Sequence, residues 1–228
     1  MTEDAGHALA MRMAQLAREV AAPRSVEDVL ETVTSAAREL IPGVTEAGVL
    51  LIAKGGKFET HAGTSDLVHQ LDVWQMEFGE GPCLEAAIDE LIVRTDDFEK
   101  EARWPRYSRV VVGIGIRSGL SFKLYTSEQT AGALNLFSDT PNVFNAQSEA
   151  TGSVLAAHAA AAILASRRGE QLESALTTRD LIGQAKGIIM HQYKVDAIQA
   201  FEMMRRLSQN SNVRLVEIAQ RVVDNRDN

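Results

Sequence analysis

RDLIGQAKGIIMHQYKVDAIQAF, residues 179–201, decides how the C-terminal part of this chain is organised. Leu181, Ile182, Ala185, Ile188 and Ile189 recur at helical spacing and predict a buried helix face. Gly183 and Gly187 sit inside that helix, each costing about 1 kcal/mol relative to alanine. They project about 40° apart, on the side away from the apolar stripe, so they leave a flat strip rather than a hole. A flat strip lets another backbone approach, either a partner helix or a sugar–phosphate chain, and Lys186 beside it suits the second. Asp196 followed three residues later by Gln199 predicts a capping box opening a second helix.

Downstream, AIQAFEMMRRL places Ala197, Ala200, Phe201, Met204 and Leu207 on one side of that second helix. Asn212 is expected to cap a third, VRLVEIAQRVVD, with Leu215, Ile218, Ala219 and Val222 at core spacing. Three short amphipathic helices with tight connections predict a small bundle. At 100° per residue, Arg214 and Arg221 lie about 20° apart beside the third helix's stripe. Arg205 flanks the second stripe, Arg206 points further out, and Lys186 lies beside the first. The set is placed either as phosphate contacts around a packed core or as an ordinary solvated basic rim. Charge separates this region from the rest: residues 167–228 carry 10 basic and 8 acidic side chains, residues 1–166 carry 13 and 23. An acidic part followed by a mildly basic one points to two modules with different partners.

RDLIGQAKGIIM, DAIQAF, RLSQNSN and VRLVEIA together resemble the ANTAR domain, an RNA-binding module of transcription antitermination regulators. The resemblance spans about residues 165–224. It implies a three-helix bundle that dimerises and binds paired RNA hairpins in nascent transcripts. Lys186, Gly187, Arg205, Arg206, Arg214 and Arg221 are then the expected RNA-binding residues. Arg214 stands where the family usually has lysine, keeping the charge. His191 and Tyr193-Lys194 depart from the commoner Arg and His-Gly pattern at the first turn.

Upstream, Ser25 with Asp28 predicts a capped helix reaching Leu40, ended by Ile41-Pro42-Gly43. EAGVLLIAK and KFETHAG, split by Gly55-Gly56, predict a hairpin. A helix from about Thr64 to Glu77 follows, then Pro82 at the first turn of another. ELIVRT, SGLSFKLYT and AGALNLFS are further strands, the last two joined by a turn around Ser127-Glu128-Gln129. Residues 146–166 form an alanine-rich helix, and almost nothing breaks it as far as Gln192. Leu164, Gln171, Leu172, Ala175 and Leu176 give it a rough heptad pattern, so a parallel coiled-coil homodimer through this linker is expected. The order predicts an α+β domain with an antiparallel sheet and flanking helices, joined by a long helix to the small all-α bundle. The expected boundaries are an N-terminal helix over 1–24, the α+β domain over 25–166 and the bundle over 167–228.

FGEGPCLEA, RWPRYSRVVVGIGIRSGLSFKL and AGALNLFS resemble a GAF domain over roughly residues 25–166. The resemblance implies a sensing or dimerising module with a six-stranded antiparallel sheet and a small-molecule pocket on one face. The ligand is not readable from the sequence, and no cofactor is required by it.

Candidate chemistry in this part is sparse. Cys83 sits at a helix N-terminus, where the dipole favours a thiolate and a redox-sensor role, against the alternative of a buried inert thiol. His61, His69 and His158 share no metal-ligand spacing. Trp74, Phe78, Trp104 and Tyr107 line either a pocket or the core, with core the commoner outcome. Gly113-Ile114-Gly115 lacks the third glycine of a dinucleotide fingerprint. Asp96, Asp97 and Glu99 are expected in a solvated acidic loop. A thiol-recycling enzyme needs a resolving cysteine, and Cys83 is the only cysteine. No catalytic residue and no metal site is therefore expected.

At 228 residues, 45% hydrophobic and with net charge −8, the chain reads as a normal globular protein rather than a general nucleic-acid coat. Mean hydropathy is −0.10, and no apolar run is long enough for a membrane span. The acidic, mixed start MTEDAGHALAMRMAQL does not resemble a secretory signal, so a reducing cytoplasm is the expected location. Together these features lead to an RNA-binding antitermination regulator with a signal-sensing first module. The alternative is a dimerisation or redox-sensing scaffold without direct RNA binding.

Overall fold

The structure, a computed structural model, describes residues 11, 14–15, 25–52, 57–88, 91–126 and 129–225. Most of the helix expected over 1–24, the Gly55-Gly56 turn and Ser127-Glu128 lie outside the described residues. The chain divides into two compact units, Met1–Ser166 and Arg167–Asn228.

In the first unit, helix α1 (Val26–Leu40) opens on a capping box: Ser25 Oγ accepts from Asp28 N, and Asp28 accepts in return from Ser25 N. Strands β1 (Glu46–Ile52) and β2 (Phe58–His61) follow, then helices α2 (Asp66–Phe78) and α3 (Pro82–Ile88). Strand β3 (Ile92–Thr95), a 3-10 turn (Phe98–Lys100), helix α4 (Pro105–Gly113) and strands β4 (Ser118–Thr126) and β5 (Gln129–Ser138) come next. Helix α5 (Ala146–Tyr193) ends this series and supplies the first helix of the second unit. The strand order is β2-β1-β5-β4-β3, each neighbour antiparallel. The described residues thus form five strands, where the resemblance implied six.

Strand alternation builds two cores. On one face Ala47 and Val49, Leu120 and Phe122, and Leu134 and Leu136 pack against α1 and the start of α5. On the other, Leu50, Ala133 and Phe137 meet Leu71 of α2, Cys83 of α3, and Phe98, Trp104 and Tyr107. Each fully buried side chain of this size contributes about 1.5–3 kcal/mol. The same alternation turns Ser121 and Asn135, register partners across β4 and β5, toward this second face. Trp104 and Tyr107 are core residues, and Trp74 and Phe78 are half-buried against them.

Of the acidic segment, Asp96 and Glu99 are exposed as its composition implied, and Asp97 is not. Asp97 is buried, caps the 3-10 turn and pairs with Arg117 at 3.1 Å and Lys100 at 3.1 Å. Desolvation opposes ionisation there, yet the bonds from Lys100 and Arg117 hold its carboxyl below the usual range. Glu99 pairs with Arg117 and Asp96 with Arg94. Arg117 lies 20 residues from Asp97, just before β4, beyond the reach of a local reading.

The second unit packs the end of α5 against helices α6 (Ala197–Ser211) and α7 (Leu215–Asp224). Its core is Ala185, Ile189, Ala200, Met204, Ile218 and Ala219. The capping box at Asp196 is formed, with Asp196 Oδ1 accepting from Ile198 N and Gln199 N. One expectation fails. Asn212 does not cap α7 but ends α6, in the left-handed conformation (φ 51°) that asparagine tolerates better than most residues. Arg214 is the N-cap residue of α7 and has no helical position. The angle drawn between Arg214 and Arg221 on a common helix therefore does not apply. In the turn from α5 to α6, Lys194 adopts φ 56°, a conformation glycine reaches more readily.

Candidate nucleic-acid interface and a buried polar cluster

The six residues singled out for RNA contact divide by their neighbours. Arg205 pairs with Glu202 at 2.7 Å and Arg214 with Glu217 at 2.6 Å, both one helical turn apart and exposed. Such surface pairs are worth about 0–1 kcal/mol, so they moderate these charges rather than lock them. Among the described residues, Lys186, Arg206 and Arg221 have no ion-pair partner. Lys186 is half-exposed, and Arg206 and Arg221 are exposed. Gly183 and Gly187 are exposed too, and a methyl group added at either meets no other atom within 4 Å.

Two depressions flank the end of α5 within this unit. A groove of about 400 Å³ is floored by Ile189, Met204, Ile218 and Val222 and edged by Gln192, Tyr193 and Arg221. A second, of about 500 Å³, contains Gln184, Gly187, Ile188, His191 and Val223 and shares Gln192 with the first. Among the described residues no carboxylate lines either one. Tyr193, Met203 and Leu207, all on the first groove, are 62%, 39% and 52% exposed. Leu207, expected with Phe201 on the packed side of α6, stands outside its core, as does Phe201. Met203, Leu207 and Ser211 repeat every fourth residue beside the core stripe and line the groove, a pattern the sequence carries.

The first unit holds a cluster of polar groups in its second core. Asp72 of α2 is 2% exposed and accepts from Thr60 Oγ1 at 2.8 Å, Gln75 Nε2 at 3.3 Å and Asn135 Nδ2 at 3.3 Å. Burial pushes its carboxyl up to about 7, although all three hydrogen bonds work the other way. Ser121 Oγ donates to Asn135 Oδ1 at 2.8 Å, and Cys83 N donates to Gln75 Oε1 at 2.9 Å. Gly81, at φ 138°, lies so close to Gln75 that any β-carbon there would collide with its side chain. Tyr107 Oη is buried beside this group without a hydrogen-bond partner among the described residues.

Cys83 is fully buried, which removes the basis of the redox reading. Burial, and then the charge of Asp72, push the thiol well above its ordinary value, against a smaller opposing hydrogen bond from Asn135. The helix N-terminus does not offset this desolvation. His61, at the surface, bonds Glu27 through Nδ1 at 2.9 Å. Among the described residues no helix is long and apolar enough to cross a membrane.

With the geometry in view, comparison with known proteins gives the class. A model of the GAF domain matches residues 23–164, and a model of the ANTAR domain matches residues 170–223. The chain belongs to the GAF domain family and carries an ANTAR domain behind it. ANTAR implies RNA-binding antitermination control, and GAF a signal-sensing domain. The fold of the GAF part is similar to that of the GAF domain of an Acinetobacter phosphoenolpyruvate-protein phosphotransferase, with 15% identity, 72% of this chain and 97% of that one covered, and a TM-score of 0.55. The corresponding Coxiella burnetii domain gives 20%, 72%, 96% and 0.53. A free methionine-R-sulfoxide reductase from Neisseria meningitidis gives 16%, 69%, 89% and 0.52. At these identities the likeness concerns the fold alone. No curated protein matches the chain.

Proposed function

We propose that this chain is a cytoplasmic, non-enzymatic regulator whose ANTAR domains, paired in a homodimer, grip two hairpins of a nascent transcript under control of a small molecule or other signal sensed by the GAF domain. The observation that carries the RNA contact is the set of cations left without acidic partners among the described residues, Lys186, Arg206 and Arg221, around a surface whose depressions hold no described carboxylate. Phosphate contacts supply much of RNA affinity, and a guanidinium not already neutralised gains most from them. Gly187 keeps the surface beside Lys186 low enough for a backbone to approach. Arg205 and Arg214 join by exchanging their carboxylate partners for phosphate.

The homodimer is supported by one side of α5. Leu172 and Leu176 are 65% and 53% exposed there, about 40° apart at 100° per residue. Exposed leucines one turn apart fit a parallel helix pair. For the signal to matter it must favour one arrangement of that pair, since a ligand binding both equally shifts nothing.

The test is titration of the full chain with a two-hairpin RNA over a range of salt. Affinity falling steeply with salt is expected, as is a loss of at least about 100-fold on reversing Lys186, Arg206 and Arg221 together to glutamate, with helicity unchanged. Salt-independent binding, or affinity that survives the reversal, overturns the assignment.

A further inference from the structure

The groove beside Tyr193 is unusual in what it leaves unpartnered. Tyr193, Met203 and Leu207 are exposed on its walls, around a floor that includes Ile218 and Val222. Three large apolar side chains in one place are not the scattered surface hydrophobics of an ordinary domain. Its polar groups are equally specific. Asn225 Nδ2 donates to Arg221 O at 2.9 Å, which leaves its Oδ1 as an acceptor. Ser211 Oγ is spent on Leu207 O at 2.6 Å. Gln192 keeps both a donor and an acceptor, and the Arg221 guanidinium has no ion-pair partner among the described residues.

An aromatic face, a soft apolar floor, an amide at the edge and one free cation correspond to the parts of a nucleotide. The base takes the apolar contacts, its edge takes the amide, and its phosphate takes the guanidinium. RNA recognition by sequence works through unstacked bases laid on aromatic side chains and read along their edges. The absence of any carboxylate among the described residues lining the groove, in a chain of net charge −8, makes it complementary to an anion rather than to a basic peptide.

We propose that this groove receives a single unpaired base of the bound RNA, stacked on Tyr193, with its edge on Gln192 and Asn225 and its phosphate on Arg221. The proposal rests on the RNA-binding reading above and adds a specificity site to it. Arg221 then both binds phosphate and orients the base, whereas Lys186 and Arg206 serve charge alone.

The experiment uses the full chain and a two-hairpin RNA recovered by selection from a pool with randomised loops. Each loop nucleotide is replaced in turn by an abasic one, and binding is measured to the wild type, Tyr193→Ala and Tyr193→Phe. One loop position is expected to lose about 5- to 150-fold with the wild type and with Tyr193→Phe, the range of a base–aromatic stack. With Tyr193→Ala the same abasic replacement costs nothing further. Tyr193 is mostly exposed, so circular dichroism and melting temperature should match the wild type in both variants. If the abasic penalty is undiminished in Tyr193→Ala, the base lies elsewhere and the groove assignment falls while RNA binding stands. If Tyr193→Ala instead dissociates the dimer by native mass spectrometry, the groove belongs to a second copy and the proposal is overturned. If the wild type recovers no RNA in a salt-sensitive manner, the RNA reading fails and this site with it.

Discussion

Asn135 on β5 donates from Nδ2 to Oδ1 of Asp72 on α2 at 3.3 Å, tying the sheet to the helix that covers its second face. Both groups are buried, and the carboxyl is raised to about 7 by that burial. Between the unfolded value of 3.8 and this folded one, the folded chain holds a proton that the unfolded chain has lost. Stability from Asp72 is therefore fully present below about pH 4 and declines as pH rises toward 7, by up to about 1.4 kcal/mol per pH unit. Asp72→Asn mimics the protonated form in carrying no charge to bury, while its Oδ1 still accepts a hydrogen bond. Melting temperatures at pH 5.5 and 8.5 should differ less in Asp72→Asn than in the wild type. An unchanged difference would show that Asp72 is ionised throughout.

Cys83 should be chemically silent. In the folded chain at pH 7, labelling with a thiol-reactive disulfide is expected to be at least about 100-fold slower than in denaturant, because the thiol is both buried and held protonated. Labelling at the unfolded rate would restore the redox-sensor reading.

Two left-handed residues frame α6 and respond oppositely to substitution. Lys194 bears the cost of φ 56° without a compensating turn bond from its side chain, so Lys194→Gly should stabilise the second unit by about 1 kcal/mol. Asn212→Ala should destabilise it by about the same amount, since alanine tolerates that conformation less well. Chemical denaturation followed by circular dichroism measures both.

Arg221 and Arg205 carry the same charge but differ in their neighbours. Arg221→Ala should reduce the slope of log affinity against log salt by about 1 and weaken RNA binding several-fold. Arg205→Ala should do less, because its guanidinium already bonds Glu202. Equal effects of the two would mean that the Glu202 pair dissolves on binding without cost.

Much of this was legible along the chain because it is local. The capping boxes at Ser25 and Asp196 and the stripes of α6 and α7 are patterns within one or two turns. The position of Gly183 and Gly187 on the open side of α5 follows from helix geometry alone. What escaped depends on contacts made at long range. The Thr60–Asp72–Asn135 cluster joins three elements over 75 residues of sequence, and nothing near Asp72 distinguishes it from a surface aspartate. Cys83 was placed correctly at a helix start, but its burial is set by strands and helices far along the chain. The role of Asn212 was misjudged because asparagine serves both as a helix N-cap and as a left-handed C-cap, and only the backbone distinguishes them.

The burial of Cys83 also makes the molecule addressable by chemistry. Its only native cysteine is hidden, so reagents for thiols meet an effectively cysteine-free surface. A Ser174→Cys substitution on α5 enters an exposed position about 160° around the helix from both Leu172 and Leu176, clear of the proposed pairing and RNA contacts. A spin label attached there would report the separation between the two copies directly. The change in that distance on adding RNA would measure how far the paired helices move when the transcript is gripped.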